Sequence, residues 1–186
     1  MNLLEPHQTE IKVKAINVSF KESLILLGRV NTDKLGSECA GYMHRIGSAV
    51  SPEQFRLGDR VALGSLQSYR SFVKAWDFQV VKILDSLSFV DAAAIPSAFY
   101  TAYHSLINVA HLQKNETVLI HAAAGGTGQA AIQVALHVGA EIYATVGSAG
   151  KKQVLMDQYN IPEDHIFYGR DSSFAEGVRR ATGGEV

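Results

Sequence analysis

The chain has 186 residues and a formal net charge of −1, with acids and bases mixed along its length. That balance, with 47% hydrophobic and 19% charged residues, describes an ordinary globular protein of one large or two small domains. It excludes the basic face that nucleic acid or an anionic membrane surface would select, and no apolar run approaches the ~20 residues a bilayer demands. Cys39 is the single cysteine, so neither an internal disulfide framework nor a multi-cysteine zinc cluster can form. Met1-Asn2-Leu3-Leu4-Glu5-Pro6 lacks the basic start and apolar run of a signal peptide, and the expectation is a cytoplasmic protein.

In chain order, the first half predicts short strands separated by glycine breaks. Glu10 to Ile16 alternates apolar and charged residues, as a half-buried strand requires. Arg60-Val61-Ala62-Leu63 and Val80-Val81-Lys82-Ile83 are further β-type runs, and Gly58-Asp59 suits a turn entering the first of them. Near Ser88 the pattern changes. Ser88-Phe89-Val90-Asp91 reads as a capping box, and an Ala-rich helical stretch runs to about Val109, broken or kinked at Pro96. From Thr117 strands and helices alternate. Thr117–His121, Ile142–Val146 and His165–Tyr168 are strands; 127–138 and a stretch through Val154 and Leu155 are helices, and Ser173-Phe174-Ala175-Glu176 predicts a capping box for a last helix. Such alternation implies a parallel sheet. The expected fold is α/β: a β-rich module over 1–90, then over 91–186 the first three strands of a doubly wound domain, with a fourth strand due beyond Val186.

Between the first parallel strand and its helix lies Ala122-Ala123-Ala124-Gly125-Gly126-Thr127-Gly128. It fits the dinucleotide fingerprint with Ala123, Gly125 and Gly128 at the three glycine positions. Small residues are needed there for the sharp turn, for close approach of backbone to a pyrophosphate, and for tight helix–sheet packing. The N–H groups of the helix start would then face the phosphates. A tight turn with no ligand is the plainer alternative. After the second strand, sites for NAD carry an acidic residue for the ribose hydroxyls. Val146-Gly147-Ser148-Ala149-Gly150-Lys151-Lys152 has none, and its hydroxyl and ammonium groups suit the 2′-phosphate of NADPH. The plainer alternative is that Ser148 caps a helix above solvated lysines. Arg170, after the third strand, could flank the adenine or its phosphate, or be an ordinary surface arginine.

Ile120 to Ala131, with Val146-Gly147-Ser148 and Ser172-Ser173-Phe174-Ala175, resembles the enoyl reductase domain of highly reducing polyketide synthases. The likeness extends through Leu35 to Gly41, Gly58 to Val61, and Ala94-Ile95-Pro96 to Thr101-Ala102-Tyr103. The related domain of animal fatty acid synthase is similar but less close; both belong to the zinc-free, quinone-reductase-like branch of the medium-chain dehydrogenase/reductase superfamily. The resemblance implies a GroES-like β-rich substrate-side module and a partial Rossmann domain, with Thr101 near the nicotinamide. It implies NADPH-dependent reduction of an α,β-unsaturated acyl thioester held on an acyl carrier protein: hydride to the β-carbon, stabilisation of the enolate oxygen, a proton to the α-carbon. The cofactor-binding set is then Thr101, Ala123, Ala124, Gly125, Gly126, Thr127, Gly128, Ser148, Lys151 and Arg170. Three departures accompany it. The family's Asn-Phe-Arg/Lys-Asp loop reads Ser19-Phe20-Lys21-Glu22 here, the tyrosine of some modular synthases is replaced at Val30, and the family's proton-donor positions lie past Val186.

Other readings are weaker. Asp171 is expected as a turn or cap residue, and His121 as strand-end packing. Ser37 stands where zinc-dependent relatives place a histidine, and Cys39 has no ligand set beside it, so no metal is expected. Val146-Gly147-Ser148-Ala149-Gly150 approaches a nucleophile elbow but lacks the first glycine. The alternatives to an enoyl reductase are a related NADPH quinone or enone reductase, and a cofactor-binding fragment without catalysis.

Overall fold

The computed structural model describes residues 3–65 and 67–184. The chain divides into two compact units, Met1–Ser97 and Ala98–Val186.

In the first unit, among the described residues, five strands form an antiparallel sheet in the order β4-β1-β2-β3-β5. They are β1 (Gln8–Ile16), β2 (Glu38–Ile46), β3 (Arg60–Gly64), β4 (Phe72–Trp76) and β5 (Val80–Lys82). Alternation along β1 and β4 sends Ile11, Val73 and Ala75 into one core with Cys39, Met43, Val61 and Leu63. Gly58 enters β3 at φ +85, the left-handed geometry its turn requires. β1 carries an irregularity between Val13 and Ala15, where Gly41 of β2 lies so close that a Cβ there would strike the Lys12 carbonyl.

One helix was not foreseen from the pattern. Ser19-Phe20-Lys21-Glu22, expected as a loop, begins α1 (Phe20–Leu26) with a reciprocal capping box. The Glu22 carboxylate accepts the Ser19 N–H at 3.0 Å and is buried, 1% exposed. At Ser88 the box is half formed. The Ser88 hydroxyl accepts the Asp91 N–H at 3.1 Å, but the Asp91 carboxylate takes the hydroxyl proton instead of a backbone one. The helix so begun, α2 (Phe89–Ala93), is short because Pro96 starts a new one, α3 (Pro96–Tyr103). A π-helical stretch, His104–Val109, follows α3, so the Ala-rich segment is three pieces and not one helix.

The second unit holds a parallel sheet of β6 (Thr117–Ile120), β7 (Glu141–Val146) and β8 (Ile166–Tyr168), in that order. Its helices are α4 (Gly126–Val138), α5 (Ala149–Tyr159) and α6 (Ser173–Ala181). Ile132 and Ala135 of α4 and Leu155 of α5 pack on Ile120, Ile142, Ala144 and Val146 of the sheet. Gly139 and Asn160, both left-handed, end α4 and α5. The capping box expected at Ser173 does not form. Ser173 is already helical, the Asp171 carboxylate accepts its N–H at 2.9 Å, and Glu176 lies 3.9 Å from Arg180 one turn on. Among the described residues no helix is long and apolar enough to cross a membrane.

Candidate functional site

β6 ends at Ile120, and the chain must turn at once to start α4 six residues later. Ala122 takes a left-handed conformation, φ +49, which non-glycine residues adopt rarely and at some strain. The turn is tied to the neighbouring strand. Buried Thr145 of β7 accepts the Ala122 N–H on its hydroxyl at 3.2 Å and the Ala123 N–H on its carbonyl at 2.9 Å. Ala123 is thereby fully buried, and Gly128 packs over it: a Cβ on Gly128 would sit 2.6 Å from the Ala123 Cα.

The helix start is open on its other side. Gly125 is the flanking residue of α4, extended at φ −82 and ψ 167, and no side chain caps the helix. The Gly125 N–H is spent on the Ala122 carbonyl at 2.8 Å, and the first bond of the helix runs from the Gln129 N–H to the Gly125 carbonyl at 2.8 Å. The N–H groups of Gly126, Thr127 and Gly128 therefore have no acceptor within the helix. A Cβ at Gly126 would meet no atom within 4 Å. Gln129 steadies the turn, donating to the Ala124 carbonyl at 3.0 Å while accepting the Tyr159 hydroxyl proton at 2.9 Å.

The end of β7 supplies a second group. Ser148 flanks α5 in an extended conformation and its hydroxyl makes no cap. Arg170 crosses from the end of β8, donating through Nε to the Gly147 carbonyl at 2.9 Å. Gly147, Ser148 and Arg170 are thus brought together, with Lys151 exposed on the first turn of α5. Lys152 instead reaches Glu163 at 3.2 Å. Thr101 is exposed on α3, on a separate element from the cradle. His121 closes β6 with Nδ1 3.1 Å from the Thr145 hydroxyl and its ring edge-on to Phe174 at 5.0 Å. Asp171 is fully exposed; its hydrogen bonds with Ser173 hold the carboxyl below its ordinary value.

Sequence reasoning passed over Thr145 and Gln129, whose partners Ala122, Ala123 and Tyr159 lie 22 to 30 residues away, and a polar cluster in the first unit. There Glu22 accepts from the Ser37 hydroxyl at 2.9 Å as well as from Ser19. Burial alone would raise its pKa, but these hydrogen bonds outweigh it and hold the carboxyl below the ordinary 4.5. Glu38, 2% exposed, accepts from Asn17 at 2.6 Å and from the Ser97 N–H at 2.7 Å. Beside it the Cys39 thiol is pushed up to about 12, by burial first and by the Glu38 charge second. Among the described residues no group of three or more His, Cys, Asp or Glu could hold a metal ion.

No family model matches the chain. A highly reducing polyketide synthase of Talaromyces stipitatus is 44% identical over 176 residues, covering 95% of this chain and 7% of that protein. A hybrid PKS-NRPS synthetase of Aspergillus niger is 46% identical over 183 residues, covering 97% of this chain and 5% of its own. The chain thus spans less than a tenth of the length of these curated relatives. Among solved structures, the CurK enoyl reductase superposes with a TM-score of 0.88 at 36% identity, covering 100% of this chain and 59% of that one. The Escherichia coli quinone oxidoreductase complexed with NADPH gives 0.80 at 29% identity, covering 99% and 57%. These neighbours bear out the expected architecture, a GroES-like β-rich module and a partial Rossmann sheet.

Proposed function

The chain is a relative of the enoyl reductase domains of polyketide synthases, within the medium-chain dehydrogenase/reductase superfamily, and from that premise we propose that it holds NADPH for reduction of an α,β-unsaturated acyl thioester borne by an acyl carrier protein. One observation carries the cofactor reading. α4 and α5 start without side-chain caps at the ends of adjacent parallel strands, where ligands of open α/β sheets bind. The residues fit a dinucleotide. The N–H groups of Gly126, Thr127 and Gly128 suit the pyrophosphate, with Ala124 and Gly125 forming the rim and buried Ala123 setting the depth of the turn. Ser148, Lys151 and Arg170 suit the 2′-phosphate: a free hydroxyl and two cations, with no carboxylate in the stretch to prefer NAD. Thr101 takes the nicotinamide side by resemblance to the family.

When bound, NADPH supplies the hydride that, with one proton, saturates the carbon–carbon double bond. The chain's own residues bind and orient: the cradle fixes the phosphates by backbone, and the Thr145 tie keeps that backbone from relaxing.

The test is nucleotide fluorescence with NADPH and NADH, followed by turnover of a crotonyl thioester. Tight NADPH binding, weaker NADH binding and loss of absorbance at the thioester's expense are expected. Binding of neither nucleotide would refute the cradle. NADPH binding without turnover would leave a cofactor-holding chain, and turnover of quinones alone would make it a quinone reductase.

A further inference from the structure

The turn between β6 and α4 is strained at one residue, and one hydroxyl holds that residue in place. Ala122 takes φ +49, a conformation that a Cβ disfavours. Thr145 of β7 fastens the turn twice. Its carbonyl accepts the Ala123 N–H at 2.9 Å, and its hydroxyl oxygen accepts the Ala122 N–H at 3.2 Å. The carbonyl is fixed by the strand. The hydroxyl is a rotor, and a lone pair faces Ala122 only while the proton is directed elsewhere.

Two neighbours fix the rotor. Gly169, just after β8, lies so close to the Thr145 side chain that a Cβ there would stand 2.9 Å from both the Thr145 Cβ and its hydroxyl oxygen. That contact determines where the oxygen sits. His121 supplies the acceptor: its Nδ1 lies 3.1 Å from the Thr145 hydroxyl oxygen, and among the described residues the hydroxyl proton has no other partner. Thr145 is 3% exposed, so water cannot take over that role without opening the fold. The imidazole therefore accepts at Nδ1 and carries its own proton on Nε2. Its ring is held edge-on by Phe174 of α6, with centroids 5.0 Å apart and planes at 81°.

These contacts form one line, from Phe174 through His121 and Thr145 to Ala122, and it ends on the backbone that leads into the bare start of α4. Resting on the function proposed above, we infer that His121 is a positioning residue for the cofactor pyrophosphate. By accepting the Thr145 hydroxyl proton it aims a lone pair of that hydroxyl at the Ala122 N–H, and so keeps the left-handed turn in the shape the phosphates need. The role is one of orientation and involves no chemical step.

Two substitutions separate the acceptor from the ring. His121→Asn sets an amide oxygen where Nδ1 stands and gives up the ring, whereas His121→Phe keeps a ring against Phe174 and gives up the acceptor. The first measurement is amide hydrogen exchange by NMR on the full chain without cofactor. Ala122 and Ala123 serve as a matched pair, because one bonds the Thr145 hydroxyl and the other the Thr145 carbonyl. In His121→Phe the Ala122 amide should exchange about fivefold faster while the Ala123 amide is unchanged, and His121→Asn should keep Ala122 protected. The second is nucleotide fluorescence well below the melting temperature. NADPH and NADH should both bind about fivefold more weakly to His121→Phe and hold in His121→Asn, and His121→Phe should add no further loss in a Thr145→Val background. Were ring packing the role, His121→Asn would be the damaging change and the two amides would loosen together. That result, or equal exchange at Ala122 in all three proteins, would overturn the inference. If Ala122 responds as expected but the unaltered chain binds neither nucleotide, the proposed function falls while the hold of His121 on the turn stands. NADPH bound equally by all three proteins would do the reverse.

Discussion

Gly126 and Gly128 belong to one short motif, yet the structure gives them opposite physical tasks, and alanine substitution separates the two. At Gly128 a Cβ would stand 2.6 Å from the Ala123 Cα and 2.7 Å from the carbonyl oxygens of Ala122 and Ala123, all backbone atoms that cannot swing aside. Helix α4 and the turn must therefore part by about 0.8 Å to restore ordinary contact, an overpacking that costs about 1–3 kcal/mol. For a chain of this size that lowers the melting temperature by roughly 2–12 °C. The same displacement carries the helix-start N–H groups off the phosphate positions, so NADPH affinity falls about tenfold as one charge-assisted bond is lost. At Gly126 the added Cβ meets nothing within 4 Å. Gly126→Ala therefore gains about 0.4–1 kcal/mol by restricting the unfolded chain, while its methyl group stands where the pyrophosphate would approach and weakens NADPH binding. Thermal melts with and without saturating NADPH read both quantities. Equal melting temperatures for the two variants would refute the packing argument, and undiminished NADPH binding by Gly126→Ala would refute the placement of the ligand.

Arg170→Ala should weaken NADPH binding about tenfold and leave NADH binding unchanged, closing the gap between the two nucleotides; an equal loss for both would remove Arg170 from the 2′-phosphate. Ser148→Ala should narrow the same gap without lowering the melting temperature, because the hydroxyl caps nothing; a stability loss of about 1 kcal/mol would show a cap in solution. Because the folded pKa of Glu22 lies below its ordinary 4.5, its stabilising contribution is complete above that value and is lost as pH falls through the folded pKa; Glu22→Gln should abolish this acid-side loss in pH-dependent melts of the first unit. The Cys39 thiol, pushed up to about 12, should ignore a disulfide reagent at pH 8 until denaturant is added; rapid modification of the native chain would contradict its burial.

From Thr117 onward the order of elements was readable from periodicity and turn residues, whereas β2, β4 and α1 of the first unit were not; the comparisons bear out the fold class. The cradle was readable because its demands are local: a strand, a turn of small residues and a helix follow one another without interruption. What escaped depended on through-space partners. Ser148 could be a cap or a phosphate ligand by sequence, and only the position of its hydroxyl relative to α5 decides that it is no cap. Arg170 could be a phosphate-side residue or a surface arginine by sequence, and the structure ties it from the end of β8 to the Gly147 carbonyl. Ser19-Phe20-Lys21-Glu22 has the spacing of a capping box at a position the family resemblance assigns to a loop, and the buried Glu22 carboxylate is satisfied in part by Ser37, fifteen residues later. At Ser173 the opposite happened. The spacing was right, but Asp171 competes as a carboxylate acceptor for the first helical N–H and displaces the start of the helix.

The helix starts, compared with one another, sharpen the case for a ligand. Ser19 caps α1 and Ser88 caps α2. Glu38 accepts the Ser97 N–H at the start of α3, and Asp171 accepts that of Ser173 at the start of α6. Each such acceptor is worth about 1 kcal/mol, and four of the six α-helices among the described residues have one. The two left bare, α4 and α5, follow neighbouring strands β6 and β7 and point their free N–H groups to the same end of the parallel sheet. On the function proposed, the phosphates of a dinucleotide would face both starts, and its binding would restore what the caps would have given. Ligand-linked stabilisation follows: at 100 times its dissociation constant NADPH should add about 2.7 kcal/mol to the second unit. Gly125→Asp would install a cap worth only a few tenths of a kcal/mol, with its Cβ 3.2 Å from the Ala122 carbonyl oxygen, and would set a carboxylate against the pyrophosphate, so the melting temperature should change little without NADPH while the increment from NADPH should vanish. A variant that kept the full increment would show that the bare helix start serves no anion.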